Sequence, residues 1–375
     1  MNEIIIKEVR TNKELKRFVT FPFSLYKNHP YWVPSLIKDE METLNRKKNP
    51  VFKNADAWFY LAYRQNQIVG RIAVIVNHLE INEQKKPKIR FGWLDMIDDI
   101  EVTKKLLNCV VEKGRELGLE YMEGPMGFSN MEKAGILTKG FEERNTMITW
   151  YHYPYYAQHL EQLGFEKQAT WIEFKMNVPP SIFDRVRKFS KLIKDRYELS
   201  VIELNSKKDI LPYVDSMFDL LNKTYNNLQT FVPIQQYQID YYKKKYFNFI
   251  HQDYITCIQN SKGELIAFSI VMPSFSKALK KANGRLLPFG WKYILDAQKK
   301  NDTAAFYLIG IHPDYQGKGV TAIVFEEMLS LFIRKGIKYV ETNPELKENT
   351  AIQLLWKDYH PVQHKERSTY KKEIK

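Results

Sequence analysis

The sequence predicts an α/β (α+β) protein built from two similar domains, and three observations support this. The chain of 375 residues is longer than one ordinary hydrophobic core accommodates. Pro179-Pro180 separates two halves of similar length. Both halves then repeat the order strand, helix, hairpin, strand, helix, strand, helix, strand, which indicates a duplication. Unrelated mixed α/β chains can also alternate in this way.

In the first half, apolar runs predict the strands, and apolar residues at helical spacing predict the helices. Residues 58–63 and 68–76 are separated by a polar turn and form a predicted hairpin. Gly118 follows a periodic segment and is the expected end of its helix. The remaining predicted strands are 4–6, 91–97, 121–124 and 170–176, and the predicted helices are 13–26, 102–117 and 155–164.

The second half begins with a predicted connecting helix, and the division is therefore a first domain at 1–178, a linker helix within 179–199 and a second domain at 200–375. Its predicted strands are 200–204, 254–258, 265–271, 305–311, 339–342 and 366–371, and its predicted helices are 181–197, 208–225, 321–335 and 349–359. Residues 272–302 form a long insert. This insert either recognises a substrate or packs against the other half, and both interpretations stay open.

The chain carries a formal net charge of +13 with a pI near 9.3. Such a charge attracts nucleic acid, anionic lipid or a polyanionic cofactor. The lysines are scattered, however, and fall on no nucleic-acid-binding motif, which favours a solvated basic surface and argues against a nucleic-acid partner. No apolar run is long enough to span a membrane, and the N-terminus is unlike a signal peptide, so we expect a cytoplasmic protein with no membrane partner. The two cysteines match no metal spacing, and we expect no metal site.

The most informative segment joins the predicted strand 305–311 to the predicted helix 321–335. A glycine-containing turn that opens a helix presents backbone N–H groups to an anion such as pyrophosphate. Two glycines allow close approach of that anion, and a lysine adds positive charge. The spacing excludes a Walker A loop and a dinucleotide fingerprint. Taken alone, the turn is equally compatible with a simple connection between a strand and a helix. The turn comprises Gln316, Gly317, Lys318, Gly319, Val320 and Thr321.

This segment resembles the signature of the GNAT acetyltransferases, in which a strand and a proline precede Gln/Arg-x-x-Gly-x-Gly/Ala. Gln316 and Gly319 match the signature, His312-Pro313 stands in the expected place, and Thr321 replaces the usual small residue. The whole chain resembles a group of bacterial tandem-GNAT proteins, whose first halves also carry Gly-Pro-x-Gly-Phe, here residues 124–128, and Gly-Phe-Glu, here residues 140–142.

The resemblance implies two GNAT-like domains, each with a mixed, mostly antiparallel sheet flanked by helices. It also implies an N-acyltransferase that uses acetyl-CoA, or another acyl-CoA, and a small-molecule or peptide amine that attacks the thioester directly. In the first half, the predicted strand 91–97 runs into Asp98, Asp99 and Glu101 without a glycine, so we expect that domain to lack the cofactor loop. The implied cofactor-binding residues are Ile309, Ile311, Gln316, Gly317, Lys318, Gly319, Val320, Thr321 and Asn349.

The catalytic candidates are Glu341 and Tyr307 as the base, because each lies on or beside a predicted cofactor strand. Many relatives place a thiolate-protonating tyrosine where Leu355 stands here, and Tyr359 is the nearest substitute. Each of these side chains can equally be a core or surface residue. Two other functions stay open: transfer of an aminoacyl group from charged tRNA, and non-catalytic sensing of acyl-CoA. The oligomeric state is open as well.

Overall fold

The structure is a computed structural model, and it describes residues 3–129, 131–225, 231–246, 251–350, 353 and 359–374. It contains two compact units. Unit 1 comprises Met1–Ile172, Phe275–Leu295 and His364–Lys375, and unit 2 comprises Glu173–Ser274 and Asp296–Gln363. The division at residues 178 and 199 stays a prediction, because these units are assembled from stretches that are distant in the sequence.

The helices and strands of the described residues are numbered in chain order. The strands are β1 (Ile4–Glu8), β2 (Ala55–Arg64), β3 (Gln67–Asn77), β4 (Lys88–Met96), β5 (Tyr121–Gly124), β6 (Ile136–Lys139), β7 (Glu166–Asn177), β8 (Ser200–Val201), β9 (Ile255–Gln259), β10 (Leu265–Pro273), β11 (Thr303–Ile311), β12 (Tyr339–Thr342), β13 (Glu345–Leu346) and β14 (Val362–Glu373). The helices are α1 (Asn12–Leu25), α2 (Ile37–Thr43), α3 (His78–Asn82), α4 (Ile100–Glu116), α5 (Tyr155–Gln162), α6 (Asp184–Tyr197), α7 (Leu211–Tyr225), α8 (Gln236–Tyr246), α9 (Ser276–Ala282), α10 (Gly290–Lys299) and α11 (Thr321–Lys335).

In unit 1 the strand order is β1-β2-β3-β4-β5-β14, with residues 166–172 of β7 beside β14. The pairs from β1 to β4 and the pair of β5 with β14 are antiparallel, whereas β4 and β5 are parallel. Along β3, Ile72 and Val74 pack in one core with α4, while Ala73 and Ile75 pack in another with α1. This alternation explains the continuous apolar run of β3, because the strand is covered on both faces.

In unit 2 the order is β12-β11-β10-β9-β8, with residues 173–177 of β7 beside β12. The pair of β11 with β12 is parallel, and its neighbours are antiparallel. Helix α11 covers one face, where Ile323 and Phe332 join a core with Ile309. Helix α7 covers the other face, where Leu220 packs with Phe268. Both units therefore confirm the predicted mixed, mostly antiparallel sheets flanked by helices.

Several predicted elements differ from the structure in length or place. The predicted strand 200–204 is the shorter β8, and the predicted linker helix is α6, which packs along α11 through a hydrogen bond of 2.6 Å from Ser190 Oγ to Glu326. The predicted strand 366–371 is β14, which lies in the sheet of unit 1. Most of the predicted helix 349–359, including Leu355, lies outside the described residues. Among the residues described, no helix combines the length and the apolar character that crossing a membrane requires.

Candidate functional site

In unit 2 the parallel pairing of β11 with β12 ends before β11 does. It runs from Thr303 opposite Tyr339 to Phe306 opposite Thr342. Asn343 closes this ladder, because its N–H donates to the Phe306 carbonyl at 3.2 Å and its Nδ2 donates to the Tyr307 carbonyl at 2.8 Å. Strand β11 continues to Ile311 beyond this point. Its last residues therefore have an edge that β12 does not pair.

Tyr307 is a β-bulge in β11. Phe306 lies opposite Val271 and Leu308 lies opposite Ile270, so Tyr307 has no opposite residue on β10. The His312 N–H donates to the Ile266 carbonyl at 2.8 Å. Since antiparallel strands alternate the direction of their peptide groups, the N–H groups of Ile309 and Ile311 point away from β10. They lie on the edge of β11 that β12 leaves unpaired.

The loop after β11 presents further backbone N–H groups. Gly317 and Gly319 adopt φ of +72° and +81°, which are left-handed conformations that favour glycine. Helix α11 begins at Thr321, and its N-cap residue, Val320, makes no side-chain capping bond. Among the described residues, no hydrogen-bond acceptor pairs with the N–H groups of these four residues. Unpaired N–H groups at a helix N-terminus form a site for a phosphate or pyrophosphate.

The side chains of this loop are fixed by their neighbours. Gln316 Nε2 donates to the Ile311 carbonyl at 3.1 Å and so ties the turn to the end of β11. Lys318 Nζ lies 5.5 Å from the ring centre of Tyr197 and 5.4 Å from that of Tyr315. A Cβ atom at Gly319 would lie 2.8 Å from the ring of Phe189 on α6. Gly319 is thus required both by its backbone conformation and by this contact.

The structure places the predicted catalytic residues at different points of unit 2. Glu341 pairs with Ala305 on β11 and is half-buried, while the preceding Val340 packs into the core beneath α11. Because strand residues alternate, Glu341 faces the side of the sheet away from α11. Tyr359 packs on the α11 side, where its ring lies 5.6 Å from that of Phe325. Tyr307 lies at the bulge.

Asn349, the last predicted cofactor-binding residue, follows β13. Its N–H donates to the Leu346 carbonyl at 2.9 Å, so its backbone forms part of a turn. The predicted role in binding a cofactor stays a prediction. The predicted insert, residues 272–302, contains α9 and α10, and its stretch Phe275–Leu295 belongs to unit 1. Recognition of an acceptor by this segment also stays a prediction.

The sequence analysis did not identify two residues that lie at the edge of β11 beyond its pairing with β12. Asn343 Oδ1 is buried and has no hydrogen-bond partner among the described residues, although its Nδ2 is bonded to Tyr307. Tyr225, at the end of α7, donates its hydroxyl to the Ile309 carbonyl at 2.8 Å, and burial raises the pKa of this tyrosine to about 12. The position of Asn343 directly after a predicted strand was a usable signal. Tyr225 gave none, because its partner is a distant backbone carbonyl.

In unit 1, β4, β5 and α4 are arranged like β11, β12 and α11 of unit 2, but α4 begins differently from α11. Strands β4 and β5 pair in parallel only from Lys88 to Arg90, and the β3–β4 register shifts further along β4. At the start of α4, the Asp99 carboxylate accepts the Glu101 N–H at 2.9 Å and contacts Arg64 at 2.5 Å. A carboxylate of the chain thus occupies the helix N-terminus, where a bound phosphate would be repelled. The absence of a cofactor loop from the first half stays a prediction.

Unit 1 also contains a pocket with buried charged side chains. Arg71 donates to Asp95 at 2.7 Å, and Asp95 also accepts the Tyr26 hydroxyl at 3.1 Å. Lys133 lies 3.7 Å from Glu40 in the same pocket. These groups satisfy one another within the pocket. In the described part of the chain, no group of three or more His, Cys, Asp or Glu side chains is placed to hold a metal ion.

The sequence of the chain is similar to those of two bacterial proteins. No model of a known protein family matches the sequence. The chain is 25% identical to Protein YghO of Escherichia coli, over 99% of this chain and 95% of that protein. It is also 25% identical to a bacterial ceramide synthase of Caulobacter vibrioides, over 84% of this chain and 82% of that protein.

Among solved structures, the chain is similar to a tandem GNAT protein from the clavulanic acid biosynthesis pathway. The TM-score is 0.58 and the sequence identity 11%, over 100% of this chain and 99% of that chain. At this identity the likeness concerns the fold. The chain has the tandem GNAT fold, as the sequence predicts.

Proposed function

We propose that the chain is an acyl-CoA-dependent N-acyltransferase whose donor site lies in unit 2. One observation carries the proposal: a bulged strand, whose end β12 does not pair, leads into a loop at the start of α11 with N–H groups that have no acceptor among the described residues. The two parts suit an elongated ligand with an amide-containing arm and a pyrophosphate, which is the chemistry of coenzyme A. The tandem GNAT fold supports acyl transfer as the class of reaction.

The residues of unit 2 fit this co-substrate. The N–H groups of Gly317, Gly319, Val320 and Thr321 would bind the pyrophosphate, with Lys318 adding positive charge. The N–H groups of Ile309 and Ile311 would bind carbonyl oxygens of the pantetheine arm, as in the addition of a strand. Asn343 Oδ1, which is buried without a partner among the described residues, would accept an amide N–H of that arm.

The co-substrate supplies a thioester carbonyl, and the chain positions an amine against it. Proximity and orientation provide much of the rate in such a reaction. Negative charge develops on the carbonyl oxygen, and a backbone N–H of β11 near the bulge would stabilise it. The amine must be neutral to attack, and we propose Glu341 or Tyr307 as the base. Tyr359 remains the proposed proton donor to the thiolate, and Asn349 a proposed contact to the co-substrate.

The acyl group and the amine define two candidate reactions. The first is transfer of acetyl to a small-molecule or peptide amine. The second is transfer of a longer acyl group to the amine of a lipid, and the relative named a bacterial ceramide synthase favours it. Ceramide is an N-acylated long-chain amine, so that name also describes amide formation. Release of free thiol from acyl-CoAs of increasing chain length, with matched amines, separates the two candidates.

The donor site is tested by Gly317→Asp, with Gly317→Asn as its matched control. A Cβ at Gly317 meets no atom within 4 Å, and both Asp and Asn tolerate its left-handed backbone. Only Asp adds a negative charge beside the pyrophosphate, so we expect a loss of CoA affinity of about tenfold or more from Asp. We expect a small change from Asn. Titration calorimetry measures both variants, and equal affinities would contradict the site.

Thiol release then distinguishes an enzyme from a sensor. An enzyme releases CoA from acyl-CoA only when an amine is present, whereas a sensor binds acyl-CoA without turnover. The aminoacyl-transferring alternative predicts stabilisation of the chain by charged tRNA instead. Thermal unfolding with acyl-CoA or with tRNA compares these outcomes directly.

A further inference from the structure

Unit 1 carries a surface patch of large apolar side chains within residues 286–295. Leu287 is 76% exposed, Phe289 is 68% exposed and Trp291 is 48% exposed. Tyr293 and Leu295 are exposed as well. Large apolar side chains that cluster in this way on a surface mark a contact with another molecule or with a membrane. We call Leu287, Phe289 and Trp291, the three most exposed of these side chains, the apolar patch.

Hydrogen bonds and close packing within unit 1 hold the patch in place. The Ile37 N–H donates to the Gly284 carbonyl at 2.9 Å, and Ser276 Oγ donates to the Asn145 carbonyl at 3.1 Å. A Cβ at Gly290 would lie 1.9 Å from the Arg285 carbonyl oxygen, so the chain turns tightly there. The apolar side chains are therefore displayed by an anchored loop and the first turns of α10.

The charged side chains within residues 275–295 are all basic, and the exposed Asp296 follows this segment directly. Residues 275–295 contain no aspartate or glutamate. Of the basic residues in the segment, Lys280 donates to the His29 carbonyl, and Lys281 lies 5.9 Å from the ring centre of Tyr293. The exposed basic residues of the segment are Lys277, Lys281, Arg285 and Lys292. Aromatic and leucine side chains among lysine and arginine are typical of segments that lie in the interface of an anionic bilayer.

We propose that the apolar patch and its basic surround dock unit 1 onto an anionic lipid surface. Leu287, Phe289 and Trp291 enter the boundary between headgroups and acyl chains, where amphipathic aromatic rings are favoured. The basic residues contact the lipid phosphates. Such docking requires no membrane-spanning helix. The expectation of no membrane partner rested on the lack of a long apolar run and of a signal peptide, and neither bears on docking at the surface of a bilayer. The proposal does not depend on the acyl-transfer activity, and it holds or fails separately.

The test is co-sedimentation of the full chain with vesicles of phosphatidylcholine, with or without phosphatidylglycerol. We expect binding to the anionic vesicles that weakens with added salt. The affinity of the triple variant Leu287→Ser/Phe289→Ser/Trp291→Ser for these vesicles should fall by about tenfold or more. Arg285→Gln/Lys292→Gln should weaken binding about thirtyfold at low salt.

The matched control is Leu117→Ser/Val362→Ser, which removes exposed apolar side chains outside the patch. It should bind the anionic vesicles as the unchanged chain does. Two results would overturn the proposal: no sedimentation of the unchanged chain with anionic vesicles, or equal sedimentation of the triple variant. If the unchanged chain does not bind vesicles but self-associates in light scattering, and the triple variant does not self-associate, the patch is assigned to contact between copies.

Discussion

The hydrogen bond from Asn343 to the Tyr307 carbonyl decides how the edge of β11 is presented. One amide side chain ends the parallel ladder at Phe306 and leaves its own Oδ1 buried without a partner in the described part of the chain. A buried acceptor without a partner is unfavourable unless a ligand completes it. The turn after β11 could be predicted from the sequence, since Gly317 and Gly319 favour the left-handed backbone of a turn whatever lies around them. Phe189, which packs against Gly319, could not, because helix α6 lies far upstream.

Replacement of Asn343 by leucine tests this role. The Tyr307 carbonyl loses its donor, and an apolar side chain faces the pantetheine amide, so we expect about tenfold weaker CoA binding. Titration calorimetry measures the affinity. Asn205→Leu, on the exposed surface of unit 2, is the control and should bind normally. Unchanged affinity in Asn343→Leu would remove this residue from the site.

Glu80 is a second residue with a specific expectation, and it concerns stability in acid. Burial alone would raise the pKa of Glu80, but Arg90 at 2.6 Å and Lys88 at 2.9 Å hold it at about 2. The folded pKa is lower than the ordinary value of 4.5, so these contacts stabilise the fold above that pH. This stabilisation should be lost progressively as the pH falls from 4.5 towards 2.

Glu80→Gln should lower the free energy of unfolding at neutral pH by about 3–5 kcal/mol, because Arg90 stays buried without its paired carboxylate and Lys88 keeps only Glu123. The difference from the unchanged chain should shrink in acid. Urea unfolding at several pH values measures both effects. Glu116→Gln breaks an ion pair between the exposed Glu116 carboxylate and Lys113 and should change the free energy of unfolding little. A constant difference between Glu80→Gln and the unchanged chain at all pH values would contradict the expectation.

At the scale of elements, the accuracy of sequence-based prediction follows the length and the periodicity of each segment. Helix α11 was predicted at its observed bounds, because a strong apolar face precedes Gly336, which takes a left-handed conformation at its end. Strands β6 and β13 were missed, because segments of four and two residues show no periodicity. Helix α8 was missed because its apolar residues form no clear face. The neighbours of β14 could not be predicted either, since strand pairing across the sequence leaves no local signal.

Strand β14 offers a prediction at this scale. Ser368 lies in its middle, is fully buried and pairs with Ile136. Proline there removes a ladder hydrogen bond, and we expect a loss of about 3 kcal/mol or more of unfolding free energy, with faster proteolysis of unit 1. Val362→Pro, at the exposed first residue of β14, should be tolerated. Equal stability of the two variants would contradict the central role of β14.

At the scale of the whole molecule, the two units share one strand plan but differ at the equivalent helix start. The repeated order of strands and helices was visible in the sequence, and the tandem GNAT fold agrees with it. A first half without the cofactor loop stays a prediction, and it rests on the carboxylates that stand where glycines would be needed. The stretches that fold together could not be predicted, since Phe275–Leu295 and His364–Lys375 join unit 1 through contacts with distant residues.

This difference predicts the stoichiometry of CoA binding. At the start of α11 in unit 2, N–H groups have no acceptor in the part of the chain that the structure describes, whereas Asp99 caps α4 in unit 1. We therefore expect one CoA bound per chain. Titration calorimetry with a chain of known concentration measures the number. Two equivalent sites would show that unit 1 also binds the co-substrate.

The place of β14 has a consequence for how the protein is made. In unit 1, β14 lies between β5 and the first part of β7, although the ribosome synthesises β14 later than all the other strands of this sheet that the structure describes. The sheet of unit 1 cannot close until residues 364–373 have left the exit tunnel, because β5 lacks its neighbour until then. Nascent chains should therefore expose an open sheet edge at β5 until β14 emerges, and during this interval chaperones would protect them.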